Sequence, residues 1–266
     1  MSKTFVLGIG AQRAGTTWLH NYISSYEKAN LGFTKEYHIW NVVHFDYPDI
    51  NKAKKIPFSK AFTENLDRNQ YLRFCMMNVP GFYEEYFNSI LNNGFEITGD
   101  ITPCYAFLKP EHYYDLREKF YNLGIDIRVV FIMRDPFERC LSSARMQRKK
   151  PNSWKSDAEA LKDRYDGLGN QLRTQYEHTV ENLKQVFTPD ELYFGIYENM
   201  FQSTELKNLS DFLGIPFNKS LVDVRLNESR LIENIPIELK AEVKEFYSNT
   251  YEYCYKNFTE TKCLWL

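Results

Sequence analysis

Residues 5–9 form an unbroken apolar run, and the chain leaves it through Gly10-Ala-Gln-Arg-Ala-Gly15-Thr16-Thr17 into a helical pattern. This junction restricts the fold more than any other stretch. A short run that is apolar on both faces must be covered on both faces, as a strand inside a parallel sheet is. A helix starting directly behind it carries the chain back along the sheet, and a right-handed crossover then sets the next strand parallel to the first. The two glycines, five residues apart, let the loop curl with its N–H groups facing inward. The following helix adds its own unpaired N–H groups and the positive end of its dipole. Such a loop is a cradle for an anion.

The same alternation continues along the chain. Further strands are expected at 96–99, 128–133 and 192–196, with a weaker one at 29–33. Helices are expected at 16–25, 82–91, 112–121, 136–148, 205–213 and 237–255, and a long polar and aromatic one over 158–187. Residues 38–78 read as helices forming a lid or a substrate wall. The pattern predicts an α/β fold, a central parallel sheet flanked by helices. No repeat, low-complexity tract or linker divides residues 1–266, which are therefore expected to form a single domain.

Composition excludes several function classes. With 33 basic against 35 acidic side chains, a broadly basic surface for nucleic acid is ruled out. No apolar run approaches the ~18 residues of a membrane span. No signal peptide precedes the first strand, so a cytoplasmic protein without a membrane partner is expected. Five cysteines, at 75, 104, 140, 254 and 263, form no C-x-x-C pair. They point to reduced thiols rather than to a zinc site or a disulfide framework. The 20 Phe, 19 Tyr and 4 Trp imply a core of large rings, with a minority free to line a pocket.

The loop matches the G-x-x-x-x-G-K-S/T phosphate loop except that Thr16 stands in place of the lysine. Nucleoside triphosphatases use that lysine on the transferred phosphate, so ATP or GTP hydrolysis is disfavoured. A cation stands upstream instead, as Arg13. A second motif follows the strand ending at 133: Arg134-Asp-Pro-Phe-Glu-Arg139-Cys-Leu-Ser142. Asp135 suits an N-cap, Pro136 the first helical position and Glu138 the capping-box partner. Arg134 at the strand end and Ser142 two turns up the helix can meet one phosphate from two sides, the arginine as a bidentate fork.

Both motifs carry a family resemblance. Ala14-Gly15-Thr16-Thr17-Trp18-Leu19 behind a basic residue resembles the 5′-phosphosulfate loop of PAPS-dependent sulfotransferases. The stretch from Arg134 to Ser142 resembles their 3′-phosphate motif, R-x-P-x-E-R-x-x-S, at every fixed position. PAPS, 3′-phosphoadenosine 5′-phosphosulfate, is the sulfuryl donor, and PAP is the product. The resemblance implies the three-layer, P-loop-NTPase-like sulfotransferase fold and a donor held without metal. Its binding residues would be Arg13, Ala14, Gly15, Thr16, Thr17, Trp18, Arg134 and Ser142. It also implies that Arg13 touches the bridging oxygen and stabilises the leaving group. The family usually has lysine there; arginine keeps the charge but is a poorer proton donor.

Lys35-Glu36-Tyr37-His38-Ile39-Trp40 resembles the Lys-Glu-x-x-Phe-Phe segment of heparan-sulfate-type sulfotransferases and their bacterial relatives. Glu36 is thereby implied as the catalytic base, Lys35 as its charge partner on the substrate side, and His38 as a group that orients or shares the proton. The stretch from Gly99 to Tyr105 is similar to the family's acceptor-facing Glu-Lys-Thr-Pro-x-Tyr, so Asp100 and Tyr105 are expected to face the acceptor. Asp100 and Ile101 replace the usual Glu and Lys, which weighs against a heparan-like polyanion. Arg13, Glu36, Asp100 and Arg134 are each expected just beyond a strand's carboxyl end, the ligand edge of an open parallel sheet. The resemblance is distinct over roughly the first 145 residues. It implies in-line, metal-independent sulfuryl transfer from PAPS to a hydroxyl or amine of a small-molecule or glycan acceptor, with a saccharide favoured. Two other readings stand beside it: a P-loop kinase or nucleotidase, and a PAP-binding module without chemistry.

Overall fold

Strand β1 (Thr4–Gly10) is buried along its whole length, as its apolar run requires. The computed structural model describes residues 3–45, 54–63, 65–148, 154–222, 224 and 234–265. After β1 come α1 (Thr16–Ser24), α2 (Trp40–His44), α3 (Phe58–Thr63), α4 (Arg68–Asn78) and α5 (Phe82–Asn92). The chain continues through β2 (Ile97–Asp100), a 3₁₀ turn over Pro103–Phe107, α6 (Pro110–Tyr121), β3 (Asp126–Met133) and α7 (Pro136–Arg148). Helices α8 (Asp157–Lys162), α9 (Leu168–Thr174) and α10 (Tyr176–Lys184) lead to β4 (Leu192–Ile196). Helices α11 (Ser203–Leu213), α12 (Ile237–Phe246), α13 (Ser248–Asn257) and α14 (Thr261–Leu264) complete the chain. Of the 38–78 stretch, residues 46–53 and 64 lie outside the described residues.

All three strand pairings are parallel, in the order β2-β1-β3-β4. From β1 the chain first adds β2 on one side, then crosses back to lay β3 on the other. The direction of winding reverses between β1 and β3, and a crevice opens there beyond the carboxyl ends of the strands. Helices flank the sheet through ring-to-ring packing. Phe5 of β1 stacks on Phe120 of α6 at 3.9 Å and meets Phe87 of α5 edge-on at 4.9 Å. Tyr176 of α10 meets Phe131 of β3 at 5.7 Å. The abundant aromatics are thus mainly core.

Three expected elements differ. The strand at 29–33 reduces to one bridge, Ala29 to Ile97, because Asn30 Oδ1 accepts the Gly32 N–H at 2.9 Å and Gly32 turns at φ +82. A Cβ at Gly32 would also come 2.0 Å from the Tyr37 hydroxyl, so the sharp turn needs glycine. The helix expected over 158–187 is three helices, broken at the extended Gly167 and at Gln175. The one expected over 237–255 breaks at Tyr247, whose buried ring donates its hydroxyl to the Tyr165 carbonyl.

Helix α7 starts as its sequence predicts, with one exchange of partners. Asp135 Oδ1 accepts the Glu138 N–H at 3.1 Å. The Asp135 N–H, expected to meet Glu138, goes instead to Glu198 Oε1 at 3.0 Å. Glu138 is thereby left to Arg134, at 3.5 Å. All five cysteines are free thiols.

Candidate functional site

The loop between β1 and α1 is fixed at the crevice by its own backbone. Ala11 N–H bonds the Ile132 carbonyl of β3 at 2.6 Å, and Ala14 N–H bonds Ala11 at 3.1 Å. Arg13 is held at φ 72, a left-handed conformation uncommon for a residue with a side chain. Gly15, at φ +85, is the N-cap of α1, and a Cβ there would meet Met200 Sδ and the Tyr197 ring at 3.2 Å. No side chain caps α1, so its first N–H groups point onward into the crevice with the positive end of the helix dipole.

The crevice is a cleft of about 610 Å³, counting the space open to solvent. Arg13, Gly15, Thr16, Thr17, Trp18, Lys35, Glu36, Arg134 and Ser142 all line it. Residues from three separate stretches of sequence therefore meet in one place. Two of the expected donor-binding residues offer the cleft little side chain. Ala14 is fully buried and its N–H is bonded within the loop. Trp18 presents little but backbone, since its ring is buried against Tyr22 at 4.8 Å and Phe201 at 5.4 Å.

One end of the cleft concentrates positive charge. Arg13 Nε donates to Ser142 Oγ at 3.0 Å, and Arg134 Nη1 donates to the Arg13 carbonyl at 3.1 Å. Arg134 lies 4.6 Å over the Tyr197 ring, and its buried Nε has no hydrogen-bond partner. Burial and the neighbouring Arg134 charge lower the pKa of Arg13. Two guanidiniums sit side by side with a hydroxyl, and among the described residues the acidic group paired with them is the half-exposed Glu138. Such a corner suits an anion with several oxygens, which satisfies both forks at once. An adenosine 3′-phosphate fits this donor set.

The other end carries Lys35, Glu36 and His38. Lys35 Nζ donates to Thr16 Oγ1 at 3.3 Å, Thr17 Oγ1 at 3.1 Å and Glu36 Oε1 at 2.9 Å. Glu36 Oε2 lies 3.1 Å from His38 Nε2. His38 has φ 55 and is buried. Burial pushes its pKa down, but Cys104 and Glu36 outweigh burial and raise it to about 9. The imidazole is therefore a cation at neutral pH. Cys104 and Glu36 raise its pKa first as hydrogen-bond partners and only then through charge. Burial works against the Cys104 thiolate, yet His38 and Arg173 together lower its pKa.

Asp100 and Tyr105 are not brought into the cleft. Both are wholly buried. Asp100 accepts hydrogen bonds from Thr102 at 2.5 Å, Tyr105 at 2.7 Å and Tyr83 at 3.0 Å. Burial raises its pKa to about 6 against the pull of those three hydroxyls. The cluster supports the cleft from below. Thr102 Oγ1 accepts the His38 N–H at 3.4 Å, and the Tyr105 hydroxyl accepts the Ile39 N–H at 3.1 Å. Tyr197 and Met146 line the cleft without having been singled out from sequence. Tyr197 directly follows β4, so the strand-edge rule that marked Arg134 would have marked it too.

A family model described as the sulfotransferase family matches residues 6–219. No curated protein matches the chain. Among solved structures, a sulfotransferase from Alicyclobacillus acidocaldarius is similar at 17% identity and a TM-score of 0.57, over 95% of this chain and 94% of that one. A mouse sulfotransferase complexed with PAP is similar at 13% identity and a TM-score of 0.49, over 99% and 87% of the two chains. A sulfotransferase domain from the curacin biosynthetic pathway is similar at 16% identity and a TM-score of 0.46, over 83% and 76%. At 17% identity, the first of these likenesses concerns the fold.

Proposed function

Because the chain belongs to the sulfotransferase family, we propose that it moves a sulfuryl group from PAPS to an acceptor hydroxyl in the cleft between β1 and β3. The observation that carries this reading is the pair of contacts that put Arg13 on the Ser142 hydroxyl and Arg134 on the Arg13 carbonyl at one end of the cleft. Those three residues hold the 3′-phosphate. The N–H groups opening α1, with Gly15, Thr16 and Thr17, hold the 5′-phosphosulfate.

The donor supplies an activated sulfuryl group. The chain supplies a base, orientation and fixed positive charge. Glu36 takes the acceptor proton, and the cationic His38 holds one carboxylate oxygen so that the other stays directed at the cleft. Asp100, Thr102 and Tyr105 are positioning residues for this segment rather than acceptor contacts. A sulfuryl group carries less negative charge than a phosphoryl group, so fixed arginines and N–H groups serve without a metal. The acceptor class we favour is a saccharide hydroxyl, with an amine as the alternative. Its support is the likeness of residues 35–40 to the glycan-modifying enzymes.

Incubation with PAPS and a panel of saccharide, phenol and amine acceptors in EDTA, followed by mass spectrometry, tests the reading. A product heavier by one sulfuryl group, formed with stoichiometric PAP, is expected. PAP binding without transfer to any acceptor would reduce the protein to a binding module.

A further inference from the structure

Three cations line the cleft, and the one hydrogen-bonded to side chains at the start of α1 is Lys35. The Arg13 side chain is engaged with α7, its Nε on Ser142 and its Nη1 3.8 Å from Met146 Sδ. Lys35 instead holds its ammonium against the hydroxyls of Thr16 and Thr17, the first two residues of α1. Position 101, where the resemblance would put a second lysine, is a fully buried isoleucine. We propose that Lys35 is the catalytic cation that neutralises charge on the donor's departing phosphate oxygen, and that Arg13 serves donor binding. This assignment rests on the sulfotransferase reading above.

The charge balance of the transfer explains why this place matters. The acceptor O–H proton passes to the Glu36 carboxylate, and the acceptor oxygen forms a new S–O bond. The S–O bond to the donor phosphate breaks, its electron pair staying on the phosphate oxygen. One negative charge thus disappears at Glu36 and one appears on the phosphate. Lys35 touches both ends of that shift, Glu36 at 2.9 Å and the hydroxyls at the anion-binding end of α1. As Glu36 is neutralised it releases the ammonium at the moment the phosphate needs it. The side chain is 21% exposed, so water screens the interaction only in part. Lysine can also give a proton to the leaving oxygen, which arginine does poorly.

The test compares Lys35→Met, Lys35→Arg and Arg13→Met in single-turnover assays at saturating PAPS, with PAP affinity measured by calorimetry and folding by thermal melting. Lys35→Met should slow transfer by about 10²–10³, the usual loss for one preorganised stabilising group, with a smaller loss of PAP affinity. Lys35→Arg should recover part of that rate. Arg13→Met should show the reverse split, with PAP affinity down about ten- to a hundredfold and the rate at saturation changed less. In a Glu36→Gln background, Lys35→Met should still cost rate. If that cost vanishes, Lys35 merely positions Glu36 and the proposal fails. A folded Lys35→Met protein with full rate, beside an Arg13→Met protein that has lost it, also overturns the assignment while leaving the sulfotransferase reading intact. Absence of PAPS turnover by the unsubstituted protein would overturn both.

Discussion

Asp100 at the end of β2 and the Arg13–Arg134 pair beyond β1 and β3 stand at the same edge of one sheet, yet meet their electrostatic needs in opposite ways. The carboxylate is buried and surrounded by three hydroxyl donors that belong to the protein. The guanidiniums line an open cleft, crowd each other, and leave a buried Arg134 nitrogen without a partner. Buried polar groups in native proteins are normally satisfied internally. Asp100 obeys that rule and is structure. Arg134 departs from it by one nitrogen, as several other buried arginines do. Among the described residues, only Arg134 does so facing the open cleft beside a second guanidinium, where the proposed anion would bind. Location at a strand's carboxyl end is thus necessary for both and decisive for neither.

The sharpest way to break the comparison is to remove chemistry from the cleft without touching the buried cluster. Glu36→Gln keeps the shape and one of the two acceptor oxygens but removes the basicity. Turnover should fall by roughly 10²–10⁴, the scale of general-base catalysis, while PAP affinity and Tm stay close to the unsubstituted values. A retained rate would move the base elsewhere, with His38 the next residue to substitute.

The converse change removes the buried cluster. Asp100→Ala leaves Thr102, Tyr105 and Tyr83 without their shared acceptor, which should cost roughly 3 kcal/mol and lower Tm by several degrees. Calorimetry on the folded fraction should find PAP affinity unchanged. An intact Tm with weakened PAP binding would instead place Asp100 in the site.

A smaller effect sharpens the same contrast through pH. Burial raises the Asp100 pKa to about 6, above the ordinary carboxylate value of 3.8. The folded state therefore holds this proton more tightly than the unfolded chain. Its contribution to stability is fully present below about pH 3.8 and is lost as the pH rises through 6. Relative to Asp100→Asn, the unsubstituted protein should lose up to about 1.4 kcal/mol per pH unit across that window, the slope for one proton. Parallel curves for the two proteins would show that Asp100 is not the titrating group.

Legibility in the sequence follows how local each feature is. The β1 loop, the α7 N-cap and the Arg134–Ser142 spacing depend on neighbours within one strand–helix unit, and all appear where the residue pattern puts them. The Asn30-Leu-Gly32 turn that ends the weak strand, and Gly167 between α8 and α9, are breakers visible in the sequence itself. Other features were not legible. Asp100 turns inward because Tyr83 on α5 supplies a hydroxyl, and Glu198 replaces Glu138 at a helix cap because β4 lies beside β3. Lys35 reaches Thr16 and Thr17 only because the chain from Ala29 runs along β2 and passes its carboxyl end, where the Ile101 N–H bonds the Lys35 carbonyl. Sheet order, not spacing, makes those contacts.

The central claim is that Arg13, Arg134 and Ser142 form a 3′-phosphate site, and the affinity of PAP against that of AMP tests it most directly. In titration calorimetry with EDTA present, PAP should bind about ten- to a hundredfold more tightly than AMP, the worth of a charged bidentate contact. Arg134→Ala should erase most of that preference. Equal affinities of the unsubstituted protein for PAP and AMP would contradict the account.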